Sequence, residues 1–463
     1  MYRPLFAILL VPALALAADP PAKKGIAGLW YGVLKVGAIE LRMGFQIEKQ
    51  GDKLTAKLHS VDQGDVKLPM DLVTFADGKL TVKSEKGKLT YTGQMQDGGN
   101  AILGELDQGV KFKLDLTRTA TAPTNNRPQS PKKPYPYVEE QVAFDSTATG
   151  VKLAGTLTKP KGDGPFPVAV LVSGSGPQDR DETLLGHKPF LVLADHLTRK
   201  GIAVLRYDDR GVGKSTGTFE TATTKDFADD AAGAVAFLKA RKDMAKIGLI
   251  GHSEGGLIAP MVAAGSKDVG FIVLLAGPGL PGDEIVVAQS ELILLAMGEK
   301  KENIARAMKL SRKLFAAAKA GATAKELEAV ILKAGEELTD EKEKIEFAAS
   351  KPLIVAKTKE LSTPWFRYFL AHDPRPVLAK VTCPILAING SLDLQVPCEP
   401  NLDAVRKATP HNKDMTTTEL KGLNHLFQPT KTGLPSEYGV IEETFAPAAL
   451  DVISGWLLKR TGK

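Results

Sequence analysis

Cysteine is almost absent from this chain: Cys383 and Cys398 are the only two in 463 residues, so at most one disulfide is available. Cys383 opens an expected strand and Cys398 follows the loop at its far end. About five extended residues at ~3.3 Å each stand between them, a span that argues against a bridge. Long apolar runs are missing as well. The stretch from Leu5 to Ala18 is shorter than the ~20 residues a bilayer-spanning helix requires, and no later run is longer. Neither sign of charge dominates, because 60 basic residues are interspersed with 54 acidic ones. The net charge of +6 therefore describes a mixed, solvated surface and gives no nucleic-acid-binding patch. Histidine is scarce, at seven residues, which narrows any search for a catalytic base.

What is present falls into segments. Arg3 precedes the apolar run Leu5 to Leu10, and Ala15-Leu16-Ala17 has the spacing of a cleavage site before Asp19-Pro20-Pro21. Residues 1–17 read as a secretory signal peptide, so the mature protein is expected to be exported, periplasmic or secreted, without an integral membrane segment. From Ile26 to Arg118 the apolar residues alternate with period two, as in Val110-Lys111-Phe112-Lys113-Leu114, with turn signals at Asp77-Gly78 and Asp97-Gly98-Gly99. That predicts a small antiparallel β-domain over 26–118, with Trp30 and Tyr31 in its core. Residues 119–137, rich in Pro, Thr, Asn and Ser, read as a linker.

Beyond the linker, over 138–463, strands and helices alternate. Fully apolar strands such as Val168 to Val172, Ile202 to Tyr207, Ile247 to Ile250 and Phe271 to Leu275 point to a mostly parallel sheet covered on both faces. An interval of about a hundred residues, 280–380, then carries helical periodicity at Ile304, Met308 and Phe315 and a capping box at Thr323 and Glu326. It is expected to form a cap over the edge of the sheet.

One stretch concentrates the chemistry. Gly251-His252-Ser253-Glu254-Gly255-Gly256 follows an apolar strand and leads into a helix, the context of a nucleophile elbow in which Gly251 and Gly255 make room for a strained turn. Gly213-Lys214-Ser215-Thr216-Gly217 has the same spacing, but no apolar helix follows it. It also lacks the glycine a phosphate loop requires five residues before its Gly-Lys pair, where Asp208 stands. Context therefore selects Ser253 as nucleophile.

A serine needs a base held in one tautomer by a carboxylate. His425 follows the strand-like Thr416 to Leu420, and Asp393 lies just beyond the strand Pro384 to Ile388, with Asp403 and Asp414 as fallback carboxylates. His252 is set aside as pointing away from the serine. Two backbone N–H groups must meet the oxyanion: that of Glu254, and one from the loop Ser173-Gly174-Ser175-Gly176, for which Ser175 is favoured. Asp179, Arg180 and Asp181 are expected to pin that loop through ion pairs. Trp365, Phe366, Tyr368 and Phe369 either line a substrate pocket from the cap or pack the cap onto the sheet.

Four motifs in order, Gly174-Ser175-Gly176-Pro177-Gln178-Asp179-Arg180-Asp181, Arg206-Tyr207-Asp208-Asp209-Arg210-Gly211, the elbow, and Asn389-Gly390-Ser391-Leu392-Asp393, resemble the EstD-type carboxylesterases of the α/β-hydrolase superfamily, near the serine aminopeptidase-like hydrolases. The resemblance runs from Val138 to the C-terminus. It implies an α/β-hydrolase fold with a helical cap, acyl transfer through Ser253, His425 and Asp393, a small-molecule ester substrate, and neither cofactor nor metal; short acyl chains are expected, since the depth of the cap sets their length. An aminopeptidase or amidase, and a non-catalytic cell-envelope binding protein, are the alternatives. Ser173 departs from the pattern, since many relatives of this superfamily carry histidine before the oxyanion glycine.

Overall fold

Alternating apolar residues between Gly28 and Thr119 form ten strands: β1 Gly28–Val36, β2 Ile39–Gln50, β3 Lys53–Ser60, β4 Val66–Pro69, β5 Leu72–Ala76, β6 Lys79–Ser84, β7 Leu89–Met95, β8 Ala101–Asp107, β9 Lys111–Lys113 and β10 Leu116–Thr119. They pair antiparallel in the order β4-β3-β2-β1-β10-β8-β7-β6-β5, with β9 on β8. Because β3 also approaches β5, the sheet curls round its own apolar face. That interior is filled by side chains, with Trp30, Phe45, Leu80, Tyr91, Ile102 and Leu106 fully buried. Trp30 donates its indole N–H to the Ile26 carbonyl at 2.8 Å and lies under the Arg118 guanidinium. Tyr31, likewise buried, hydrogen-bonds His59.

This computed structural model describes residues 25–36, 39–63, 66–96, 98–349 and 351–462; the expected signal peptide lies outside them. The chain divides into two compact units, Met1–Thr124 and Asn125–Lys463, with the boundary inside the proline-rich stretch. The second half of that stretch is tied to the second unit. Arg127 donates to the carbonyls of Leu185, Gly439 and Ile441, and Gln129 takes the amides of Thr444 and Phe445. An extended segment without a sheet partner thus satisfies polar groups of the loop it crosses.

The second unit is built on β11 Val138–Asp145, β12 Lys152–Lys159, β13 Phe166–Val172, β14 Ala203–Tyr207, β15 Met244–His252, β16 Val269–Leu275, β17 Ile385–Gly390 and β18 Met415–Leu420. Their order is β11-β12-β14-β13-β15-β16-β17-β18, antiparallel at β11 and β12 and parallel from β14 onward. Side chains leave each strand on alternate faces. Val168, Val170 and Val172 of β13 join Leu249 of β15 against α2 Thr224–Lys239, α3 Gly255–Gly265 and a later helix, Cys398–Ala408. Ala169, Leu171, Val273 and Ile388 pack on the other face against α1 Pro189–Arg199 and the last helix, Pro447–Thr461. Both faces are covered, as the uniformly apolar strands predict.

Between β16 and β17 stand α4 Gly282–Ala296, α5 Lys301–Lys319, α6 Ala324–Glu336, α7 Glu341–Ala349, α8 Lys351–Leu361 and α9 Pro364–Ala371, followed by the short α10 Arg375–Leu378. They bury a core of their own that contains Ile304, Met308 and Phe315. Thr323 and Glu326 cap α6 reciprocally, Thr323 N–H to the Glu326 carboxylate at 2.7 Å and Glu326 N–H to the Thr323 hydroxyl at 3.3 Å. α11 Cys398–Ala408 and α12 Pro447–Thr461 complete the unit. Cys383 and Cys398 are free thiols, and burial raises Cys383 to about 11 and Cys398 to about 12.

Candidate active site

The turn after β15 is as tight as a chain can make it. A Cβ on Gly251 would sit 1.9 Å from the Gly255 carbonyl oxygen, and one on Gly255 would sit 2.2 Å from that of Val172. Only hydrogen fits at either position. Between them Ser253 takes a left-handed φ of +52°, its N–H held by the Leu275 carbonyl at 2.9 Å, at the head of α3. A helix N-terminus beneath the hydroxyl favours negative charge there.

β17 delivers the carboxylate. Asp393 is buried beyond its end, and Oδ1 accepts the amides of Gln395 at 2.8 Å and Val396 at 2.9 Å. Those bonds aim Oδ2 at His425 Nδ1, 2.8 Å away. The loop after β18 holds the histidine from beneath, since Asn424 Oδ1 takes the amides of Leu426 and Gln428. With Nδ1 bonded to a carboxylate, the neutral ring presents Nε2 as an acceptor. Ser253 and His425 line the same cavity, of about 620 Å³.

The fallback carboxylates stand elsewhere. Asp403 pairs with Lys407 and Arg406 on α11, and Asp414 pairs with Arg460. His59 belongs to the first unit, His187 is enclosed by Thr444 and the Tyr438 carbonyl, and His372 stacks on Tyr368.

Two consecutive residues of the oxyanion loop each meet a different buried carboxylate. The Ser173 hydroxyl donates to Asp209 at 2.8 Å and Gly174 N–H donates to Glu182 at 2.7 Å. Asp209 thus holds Ser173, the residue at which the sequence departs from the expected pattern. Gly174 N–H is occupied by Glu182, and Ser175, the residue of the loop's expected donor N–H, lines the cavity. Neither Ser175 N–H nor Glu254 N–H donates to a backbone carbonyl among the described residues. Burial pushes Asp209 well above the carboxylate range and raises Glu254 despite its donors, Thr224 at 2.6 Å and the Trp365 indole at 2.8 Å.

Ion pairs secure the rest of the loop. Arg180 binds Asp208 at 2.6 Å, Asp181 binds Arg206, and Arg210 binds Asp230 at 2.7 Å, so Arg206 to Arg210 brace this loop from the neighbouring strand end. Asp179 has a different part, accepting the amides of Asp181 and Thr183. Ser215, in the second stretch with elbow spacing, donates to the Asp208 carbonyl at 2.7 Å and accepts from Ala154 N–H; it serves this bracing and lies off the cavity.

Trp365, Phe366 and Phe369 line the cavity; Tyr368 does not. Trp365 and Phe366 also pack in the cap core, so lining and packing are the same residues at work. A further, mostly apolar wall comes from α4, through Ile285, Val286, Ile293 and Leu294 with the polar Gln289 and Ser290 among them, and Lys357 and Glu360 of α8 also line the cavity. The α4 wall escapes sequence reading because the helix is apolar around much of its girth. No cluster of three metal-ligating side chains occurs among the described residues.

Residues 188–428 match the family described as serine aminopeptidase, S33, and residues 111–264 match the FrsA-like esterases. Esterase EstD of Thermotoga maritima is 30% identical over 327 residues, covering 70% of this chain and 69% of that protein. Among solved structures, the Pyrococcus furiosus esterase Pf2001 matches with a TM-score of 0.41 and 16% identity, over 70% of this chain and 93% of that one. Est1E from Butyrivibrio proteoclasticus with ferulic acid bound gives 0.41 and 17%, over 70% and 100%.

Proposed function

Because the chain belongs to the serine aminopeptidase S33 family of α/β-hydrolases, together with esterase EstD, and is a carboxylesterase-type hydrolase of small molecules, we propose that Ser253, His425 and Asp393 form its catalytic triad. The reading is carried by one juxtaposition: an elbow serine and a carboxylate-bound histidine open onto the same cavity. His425 Nε2 takes the Ser253 proton as the hydroxyl attacks the ester carbonyl, and Asp393 stabilises the imidazolium that forms. The N–H groups of Ser175 and Glu254 receive the oxyanion, each worth ~3 kcal/mol by analogy with other oxyanion donors. His425 then protonates the leaving alcohol and later activates the water that releases the acid.

Esters are favoured over aminoacyl substrates by the partners of the acids in the cavity wall. Glu182 is bound to His252 at 2.9 Å and Glu360 to Lys357 at 3.0 Å, so neither is an unpaired carboxylate awaiting a free α-amine. The mostly apolar α4 wall suits an aliphatic acyl group, and we place the optimum among short chains. Export is part of the proposal and rests on Arg3, the Leu5 to Leu10 run and Ala15-Leu16-Ala17. No helix among the described residues is long and apolar enough to cross a membrane.

A graded series of p-nitrophenyl esters beside an aminoacyl anilide tests the substrate. Faster anilide turnover would reverse the assignment to esters. Labelling by a fluorophosphonate, lost in Ser253→Ala, tests the nucleophile; an unlabelled wild type would return the chain to the non-catalytic alternative.

A further inference from the structure

Next to Ser253 lies a second histidine–carboxylate pair that the reaction above does not use. His252 and Glu182 are both buried, with His252 Nδ1 2.9 Å from Glu182 Oε1. His252 Nε2 stands 3.0 Å from the carbonyl oxygen of His425. A carbonyl oxygen can only accept, so Nε2 carries a proton. Glu182 Oε1 already receives Gly174 N–H at 2.7 Å, as an ionised carboxylate oxygen would, so Nδ1 carries a proton too. Acceptors at both ring nitrogens call for the doubly protonated ring.

We infer that Glu182 and His252 form a standing carboxylate–imidazolium clasp that positions the two halves of the catalytic apparatus against each other. Glu182 holds the oxyanion loop at Gly174, and His252 holds the loop of the proposed base by the backbone carbonyl of His425. Neither residue touches the reacting atoms in this scheme, so both are positioning residues. The inference rests on the triad reading for its consequence in catalysis, though the protonation state of His252 does not.

The clasp also has an electrostatic effect. The His252 and His425 rings lie 4.9 Å apart between centroids, so a charge on the first disfavours a charge on the second. The other ionisable groups facing His252 are Glu182 and Asp393; the remaining ring beside it, Phe427, is neutral. Burial alone would lower the His252 value, but Glu182, the His425 carbonyl and Asp393 raise it above the ordinary histidine range.

Glu182→Gln separates charge from tether. Both bonds fall on Glu182 Oε1, so an amide oxygen there still takes Gly174 N–H, while a neutral His252 can give its one N–H to that oxygen or to the His425 carbonyl but not to both. In the full chain, E182Q is expected to move the acid limb of kcat/KM to higher pH by about half to one pH unit and to lower the plateau kcat less than ~10-fold. His252→Gln should move the limb the same way and cut kcat by about 10- to 100-fold with little change in KM, because the tether is broken as well. ¹⁵N-histidine NMR at pH 7.5, an arbitrary value of about neutral, should show one doubly protonated ring that disappears in both variants. A singly protonated His252 in the wild type, or an acid limb unmoved in both variants, overturns the clasp. If His252→Gln does not fold, Glu182→Gln and the NMR signal decide alone. Failure of the triad reading is told apart by Ser253→Ala, which would then keep its activity while the NMR result stands.

Discussion

The two units put strained backbone to different uses. Among the described residues of the first, the non-glycine residues with left-handed φ are Asp77 and Lys88, both exposed in hairpin turns, where the conformation merely reverses the chain. In the second they are Glu182, Leu185, Ser253, Ala276 and Phe427. Glu182, Ala276 and Phe427 are buried, and Glu182 and Ser253 line the cavity. Each such residue costs of order 1–3 kcal/mol and persists only where packing over-determines it. Polar burial differs in its use, since the first unit also buries His59 beside Tyr31 and Asp62 beside Arg42. The interior of the first unit is closed by Trp30, Phe45 and Tyr91, whereas the second keeps a cavity and sets Asp209, Glu182 and Glu254 around one loop. One unit uses its core to be stable, and the other sets part of its stability against a fixed geometry.

The sharpest way to press this contrast is at the elbow. Ser253→Ala should lower ester turnover by about four to six orders of magnitude while leaving the fold intact by circular dichroism. Asp393→Asn, which offers His425 a donor in place of an acceptor, should cost about 10⁴ in kcat. In the first unit the same exercise should move stability alone. Trp30→Ala removes a fully buried side chain and should destabilise that unit by about 3–5 kcal/mol in denaturant. Its kcat should stay within about twofold, because no described residue before Asn125 lines the cavity. A large fall in kcat would break the division.

Smaller effects test the polar loop. Ser173→Ala leaves Asp209 with the Gln178 amide as its remaining bond and should cost about 1–3 kcal/mol, with a fall in kcat that the Trp30 variant lacks. The smallest expected effect is the pH dependence of His252. Its folded value is raised, so the native state holds a proton that the unfolded chain releases. The stability this gives is complete below about pH 6.5 and is lost as pH rises through the raised value. The difference in denaturation midpoint between wild type and His252→Gln should therefore shrink from pH 6 to pH 9, a range of about three pH units.

Much of this was legible in the residues. Uniform apolar strands announced a sheet covered on both faces, and Ser253 could be told from Ser215 by the helix that follows it. Asp393 and His425 are selected because each comes just after a strand that ends at the same edge of the sheet. The carboxylates behind them were not legible. A glutamate such as Glu182 reads as surface, and only long-range packing buries it against Gly174 and His252. For the same reason His252 was set aside, although it lines the cavity with both ring nitrogens engaged. The proline-rich stretch read as a linker by composition, but composition does not reveal that Arg127 and Gln129 would find acceptors on the loop at 439–445.

Trp365 of α9 hydrogen-bonds the carboxyl group of Glu254, and the N–H of Glu254 is one of the two proposed seats of the oxyanion. The roof over the cavity and the proposed place where charge develops are therefore joined through one carboxyl group. A substrate too bulky for the roof to settle would pull on that group, and the chain would discriminate against it in turnover as well as in binding, a gauge of size that acts at the moment of bond-making.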